Sequence, residues 1–271
     1  MKTTLLTSAD GTKIAASTLG DGPYTFVIAH GMTGNRSKTG VKLISTWFSQ
    51  FGRVVVFDQR GHGESGGTCT MGFREPMDLD AAVAWAKSMS NAPIITVGFS
   101  LGASVATRHA ALATGSASIT PKDAAITVIH KPDATVLVSS VAHWFYRGST
   151  IMDRLFRLTA TPWGRYVLRR TKQIRVSVRD WEDGPRASDD QLPTDPRVCA
   201  GIIRHPLLLV HGDRDHYFPE SHAEQQFAAA AGNPRARLWV EPEMGHAERA
   251  TTQELVERIA AWVREQVPTV G

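Results

Sequence analysis

A mostly parallel sheet of eight strands, with helices on both faces, is the α/β architecture this chain predicts. Three observations lead to it. Short β-rich runs alternate with helical stretches, several of the runs are unbroken Val/Ile/Leu segments, and a hairpin signal, Asp10-Gly11, falls near the start. Unbroken apolar runs are expected of central parallel strands buried on both faces.

Taken in order, Thr3–Thr7 and Lys13–Thr18 flank Asp10-Gly11 and read as a hairpin. Strand-like runs follow at Thr25–Ala29, Arg53–Phe57, Ile94–Gly98, Thr135–Ser139, Leu207–His211 and Arg237–Val240. Helices are expected between them at Thr39–Phe51, Pro76–Met89, Leu101–Ala113, Glu220–Ala231 and Thr252–Val267. The last is amphipathic, with Leu255, Ile259, Trp262 and Val263 at helical spacing. Two stretches break the alternation. Thr114–Lys131 is long for a connection and contains Ile126–Ile129, which reads equally as an extra strand or a covered loop. Residues 141–204 carry their own helix signals: Thr150 with Asp153 fits an N-cap, and Thr161-Pro162 fits an N-cap followed by proline in the first turn. This segment reads as a small helical cap inserted before the strand at 207–211, leaving 1–140 and 205–271 as the core domain.

At 271 residues the chain is long enough to bury the core of one such domain. A hydrophobic share of 42% against 21% charged residues is the balance of a globular protein and excludes a disordered one. The net charge of +4 is too small to point to nucleic acid. Cys69 and Cys199 form no C-x-x-C pair and no disulfide framework. No apolar run has signal-peptide length, and none approaches the roughly 18 residues of a membrane span. A cytoplasmic protein is the expectation.

Gly98-Phe99-Ser100-Leu101-Gly102 is the strongest local signal. It follows an apolar strand and precedes a helix of small residues, the strand–turn–helix setting of a nucleophile elbow. A tight turn there strains the serine backbone and exposes its hydroxyl, and the flanking glycines let neighbouring segments come close. The Leu101 amide, at a helix N-terminus, is placed to stabilise an anion. A glycine-flanked serine in an ordinary turn is the bland alternative, and the strand and helix on either side argue against it.

On these residues the chain resembles the α/β-hydrolase superfamily over almost its whole length, with the α/β-hydrolase fold as the implied architecture. The resemblance implies that His30-Gly31-Met32, after Thr25–Ala29, is the oxyanion loop and that the Met32 N–H is the second donor beside Leu101. It implies a triad acid just beyond Leu207–Val210. In His211-Gly212-Asp213-Arg214-Asp215 the second acid matches, leaving Asp213 as a turn residue. It implies a catalytic histidine before the last helix, at Gly245-His246. The order Ser100, Asp215, His246 is then that of the fold. Asp58, Arg60 and His62 in the Asp58–Ser65 loop read as structural groups bonded to one another or to nearby backbone. His211, Asp213, Asp215 and His216 are metal-ligating residue types close together, but no H-E-x-x-H pattern accompanies them, and no metal or other cofactor is expected. Gly61-x-Gly63 lacks the rest of a dinucleotide fingerprint.

The implied activity is hydrolysis of a carboxylic ester or thioester of a small to medium apolar acyl group through an acyl-enzyme. C–C bond hydrolysis of a diketone-like substrate uses the same groups, and a non-hydrolytic binding protein or lyase on the same fold is the reading from another class. Phe99, His143 and Trp144 are expected near the substrate. His143–Arg179 holds eight arginines and one lysine against a single acid, a net +8. That charge either attracts an anionic substrate such as an acyl-coenzyme A or forms a solvated face neutralised by the six acids of Asp180–Asp195.

Overall fold

Alternation of side chains along each central strand builds two cores, one on each face of the sheet. In the computed structural model, which describes residues 3–115, 121–144, 146–177 and 192–269, the strands are β1 (Thr4–Thr7), β2 (Lys13–Leu19), β3 (Thr25–Ala29), β4 (Arg53–Phe57), β5 (Ile94–Phe99), β6 (Ala134–Val138), β7 (Leu207–Gly212) and β8 (Ala236–Glu241). They form one sheet in the order β1-β2-β4-β3-β5-β6-β7-β8. The β1–β2 and β2–β4 pairs are antiparallel and all the others parallel.

Period two explains the burial. Phe26, Ile28, Val54, Val56, Ile95 and Val97 face one core, beneath α1 (Thr39–Phe48) and the amphipathic α8 (Gln253–Gln266). Val27, Ala29, Val55, Phe57 and Ile94 face the other, beneath α2 (Glu75–Met89) and α3 (Leu101–Leu112). Helix α2 begins at Glu75, one residue before the expected Pro76, and the Glu75 carboxylate accepts the N–H groups of Thr70 (2.6 Å) and Gly72 (2.9 Å) in the preceding loop. Ile126–Ile129 forms no strand; it follows a 3-10 turn at Pro121–Ala125 as irregular chain, with Ile129 exposed.

Between β6 and β7 lie α4 (Thr150–Ala160), α5 (Pro162–Lys172) and α6 (Pro196–Ile202). The cap of α4 is Ser149, whose Oγ accepts the Met152 N–H, and not Thr150, which is the first helical residue. Thr161 caps α5 as expected, accepting the Gly164 N–H at 3.0 Å with Pro162 in the first turn. Helix α6 departs from the expectation for 141–204. It joins the sheet-side core, where Ala200 and Ile203 pack with Leu207 and Leu209. After α5 the chain is pinned to the loop following β4. Arg175 N–H reaches Gly61 O (2.8 Å), Cys69 N–H reaches Arg175 O (2.6 Å) and Ser177 N–H reaches Cys69 O (2.9 Å). Helix α7 (Ser221–Ala229) links β7 to β8. Most of Asp180–Asp195, to which the sequence assigned charge compensation, lies outside the described residues.

Arg108, on α3, is the largest fully buried side chain among the described residues. Its guanidinium donates to the Gly72 and Phe73 carbonyls and to Asp123, and Asp123 also accepts the N–H (2.9 Å) and hydroxyl (2.6 Å) of Thr194. Burial pushes the Asp123 carboxyl up, but the Arg108 charge and the Thr194 bonds outweigh it and hold the carboxyl below its ordinary pKa. One buried ion pair thus joins α3 to three connecting segments that meet above the sheet.

Candidate active site

Ser100 sits between β5 and α3 with φ 51° and ψ −116°, a conformation that residues with side chains rarely adopt. Its neighbours explain why the turn is tolerated. A Cβ at Gly98 would strike the Gly102 carbonyl, and a Cβ at Gly102 would strike the Ala29 carbonyl. Only glycine lets the elbow close down on β3. The Ser100 N–H is held by Val138 O at 2.9 Å, so β6 fixes the turn from the other side.

Side chains from beyond two other strands, β7 and β8, meet that hydroxyl in a relay. His246 Nε2 lies 2.8 Å from Ser100 Oγ, and His246 Nδ1 lies 2.7 Å from Asp215 Oδ2. The second oxygen of Asp215 accepts the N–H groups of Tyr217 (2.8 Å) and Phe218 (3.1 Å). Burial pushes the Asp215 carboxyl up, yet His246 and these two amides more than reverse it, so its pKa lies below the ordinary carboxylate value. With Nδ1–H donating to Asp215, His246 Nε2 is left as acceptor for the Ser100 hydroxyl. Tyr217 stacks on the imidazole (ring centroids 4.3 Å apart, planes at 27°), and Phe218 meets it edge-on at 5.5 Å. Asp213 is exposed at the same strand end, and its N–H donates to Glu241 O at 3.1 Å.

The loop after β3 is fixed by side chains on either side. His30 Nδ1–H donates to Gly31 O (2.8 Å), while His30 Nε2 accepts the Gln59 N–H (3.1 Å). Burial and the neighbouring His62 drive the His30 pKa down to about 3, so the ring is neutral, as that pattern requires. His62 Nε2–H donates to Met32 O at 2.6 Å. Burial lowers the His62 pKa although the Met32 and Arg60 carbonyls act to raise it. The three groups of the Asp58–Ser65 loop are engaged, chiefly with other partners than one another. Asp58 Oδ1 accepts the Arg36 N–H (2.7 Å), Arg60 pairs with Asp78 (2.7 Å) and Asp10 (2.6 Å), and His62 holds the loop after β3 at Met32 O.

Ser100, His246, Met32 and Leu101 open onto a cavity of about 490 Å³. Met71, Trp144, Tyr146, Met152, Leu155 and Phe156 give it an apolar wall, much of it from α4, and Lys172, Glu248 and Arg249 supply charge. His143 and Trp144 line the cavity, but His143 is committed elsewhere: Nδ1 faces Asp195 (3.2 Å) and Nε2 faces Gln225 (2.7 Å). Trp144 donates its indole N–H to Pro193 O at 3.0 Å. Phe99 is a correction. Its side chain is fully buried among Ile28, Val97 and Val138 and does not reach the cavity, because β5 alternates and position 99 faces the core.

Sequence reasoning passed over Ser139, Tyr217, Phe218 and Glu248. Tyr217 and Phe218 follow Asp215 directly and Glu248 follows His246 by two, so proximity in sequence was the available signal. Ser139 had none beyond its place at the end of a strand.

Comparison with known proteins agrees with this architecture. Residues 26–260 match the model of the alpha/beta hydrolase family. The uncharacterized protein YqkD of Bacillus subtilis is 36% identical over 72 residues, which span 26% of this chain and 23% of that protein. An esterase of Pyrococcus furiosus is similar in structure, with a TM-score of 0.71 at 22% identity, covering 98% of this chain and 90% of its own. An esterase of Exiguobacterium antarcticum gives a TM-score of 0.65 at 19% identity, covering 97% and 100%. At such identities the structural likeness speaks to the fold.

Proposed function

This chain belongs to the alpha/beta hydrolase family, and from that premise we propose that it is a serine hydrolase that cleaves a carboxylic ester or thioester of a small to medium apolar acyl group. The observation that carries the reading is the unbroken relay from Ser100 Oγ through His246 to Asp215, at 2.8 and 2.7 Å.

In this reading Ser100 attacks the substrate carbonyl while His246 Nε2 takes its proton. Asp215 holds the imidazole in the required tautomer and stabilises the imidazolium. The N–H groups of Met32 and Leu101 receive the negative charge of the tetrahedral intermediate. The imidazolium then protonates the leaving group, an acyl-enzyme remains on Ser100, and water activated by His246 releases the acid. Backbone donors suit this task because they are fixed before the charge appears and need no reorganisation.

Support for the substrate class comes from the cavity: about 490 Å³, with an apolar wall, fits an acyl chain of modest length or a single ring. We assign α4 and α5 to a cap over the core, with α6 in the core itself. The test is active-site labelling with a fluorophosphonate, located by peptide mass analysis, followed by kinetics on p-nitrophenyl and acyl-coenzyme A esters of graded chain length. Covalent label on Ser100 and a preference for short to medium chains are expected. Label elsewhere, or none, overturns the reading.

A further inference from the structure

Glu248 lies two residues beyond His246 on a short 3-10 turn, Ala247–Arg249, and its half-buried side chain lines the same cavity as Ser100. Its Oε1 accepts the Gly31 N–H at 2.5 Å. A Cβ built on Gly31 would stand 3.2 Å from Ser100 Cβ and 3.2 and 3.3 Å from the two carboxylate oxygens. Nucleophile, loop and carboxylate therefore share one small space. On charge alone this is an unfavourable place for an acid, because an alkoxide develops beside it and like charges repel.

The compensating gain lies in the loop. Gly31 and Met32 carry the backbone that must present the Met32 N–H, and both of their carbonyls are held, Gly31 O by His30 and Met32 O by His62. Glu248 holds the peptide on the other side of Gly31 through its N–H. Glycine has the widest backbone freedom of any residue, so a Gly31–Met32 peptide held only at its carbonyl could still pivot about that one bond, and a hold on the preceding peptide removes the pivot.

Building on the serine-hydrolase reading above, we propose that Glu248 is a positioning residue: it clamps the Gly31 N–H so that the Met32 N–H stays aimed at the developing oxyanion. One side chain then carries two opposed effects, a clamp that speeds the reaction and a negative charge that slows it. Substitution separates them. Glu248→Gln keeps an oxygen that can accept the Gly31 N–H and removes the charge. Glu248→Ala removes both. Glu248→Asp keeps the charge but is one methylene too short to reach.

The experiment is steady-state kinetics of the three variants on a neutral p-nitrophenyl ester with kcat and KM resolved, alongside thermal unfolding and fluorophosphonate labelling of the wild type. For Glu248→Ala and Glu248→Asp, kcat is expected to fall by about tenfold or more, up to the roughly 10²–10³ that outright loss of an oxyanion donor costs, with KM changed by less than about threefold. Glu248→Gln is expected to restore kcat to at least about threefold above Glu248→Ala. A smaller restoration, or a loss carried by KM alone, overturns the proposal. Should Glu248→Ala fail to fold, Glu248→Asp against Glu248→Gln makes the same comparison. If the wild type takes no label on Ser100, the hydrolase reading falls and this one with it. A labelled Ser100 with three equal variants removes the Glu248 clamp alone.

Discussion

The hydroxyl of Ser139, at the end of β6, accepts the backbone N–H of Ala247 at 3.0 Å, and so fixes the residue directly after His246. Both residues have positive φ, 54° for Ser139 and 50° for Ala247. A strained serine at the end of one strand therefore steadies the loop that follows another strand. The position of the imidazole rests on this bond as well as on Asp215.

Replacing that serine tests the point. Ser139→Ala leaves the buried Ala247 N–H without its acceptor, which costs about 1–3 kcal/mol of stability. Catalysis is expected to fall by about tenfold in kcat with little change in KM, since a displaced ring lowers the rate without touching the cavity wall. Thermal unfolding and steady-state kinetics on one preparation check both halves. Wild-type kcat in a destabilised protein would show that the bond serves the fold alone.

Ser100→Ala is expected to abolish turnover, by on the order of 10⁶, while the protein remains folded. The two acids after β7 separate more finely. Asp215 is buried and bonded to His246, whereas Asp213 is exposed. Asp215→Asn should cost about 10⁴ in kcat because the imidazole takes the wrong tautomer, and Asp213→Asn should cost less than about tenfold. Equal losses at the two positions would refute the assignment of Asp215.

Acid should weaken the fold before it reaches the carboxylates. Burial, with neighbouring positive charge, lowers the pKa of His30 to about 3 and of His205 and His222 to about 4, from an ordinary value of 6.5. Below 6.5 the unfolded chain binds protons that these three rings refuse in the fold, so stability falls as pH drops from 6.5 toward 4 and, for His30, toward 3. Asp78, pushed up to about 6 by burial despite Arg60, works in the opposite direction and offsets part of the loss. The melting temperature at pH 5.0 is expected to lie on the order of 5 °C below that at pH 7.5. A level or rising value across that interval would contradict the account.

Charge on the cap is testable by salt. Arg157 pairs with Asp153 at 2.7 Å, Arg165 donates to Thr159 O, and Arg175 binds carbonyls of the 65–67 turn. Arg154, Arg169 and Arg170 are exposed and make no ion pair among the described residues, and Lys172 lines the cavity. If these groups steer an anionic substrate, kcat/KM for an acyl-coenzyme A should drop severalfold from about 20 to about 500 mM sodium chloride, as the screening length passes through ~10 Å. A neutral p-nitrophenyl ester of the same acid should respond little. Parallel curves would reduce the cap arginines to a solvated face.

Much of the fold was legible because its determinants are local. A run such as Arg53–Phe57, four of whose five residues are fully buried, cannot be satisfied except in a strand covered on both faces. Glycines two positions either side of Ser100 mark a close approach that no other residue allows. The details that escaped depend on partners far away in sequence. Phe99 sits beside Ser100, yet strand alternation turns its side chain away from the cavity and into the core. Helix α6 has the same helix signals as its neighbours, and only its contacts with Leu207 and Leu209 place it in the core.

From the sequence alone came the order of strands and helices and the glycine-flanked turn at Ser100, which rest on hydrophobic period and turn chemistry; Asp215 and His246 came from the resemblance to the α/β-hydrolase superfamily. Tertiary structure decided what meets across the sheet: the contact of His246 with Asp215, Ser139 on Ala247, and Glu248 on Gly31, 217 residues away. The reason is physical. A hydrogen bond exists only where a donor and an acceptor arrive within about 3 Å in the right orientation, and that arrival is fixed by strand register, by the strained turn at each strand end and by the packing of both cores together.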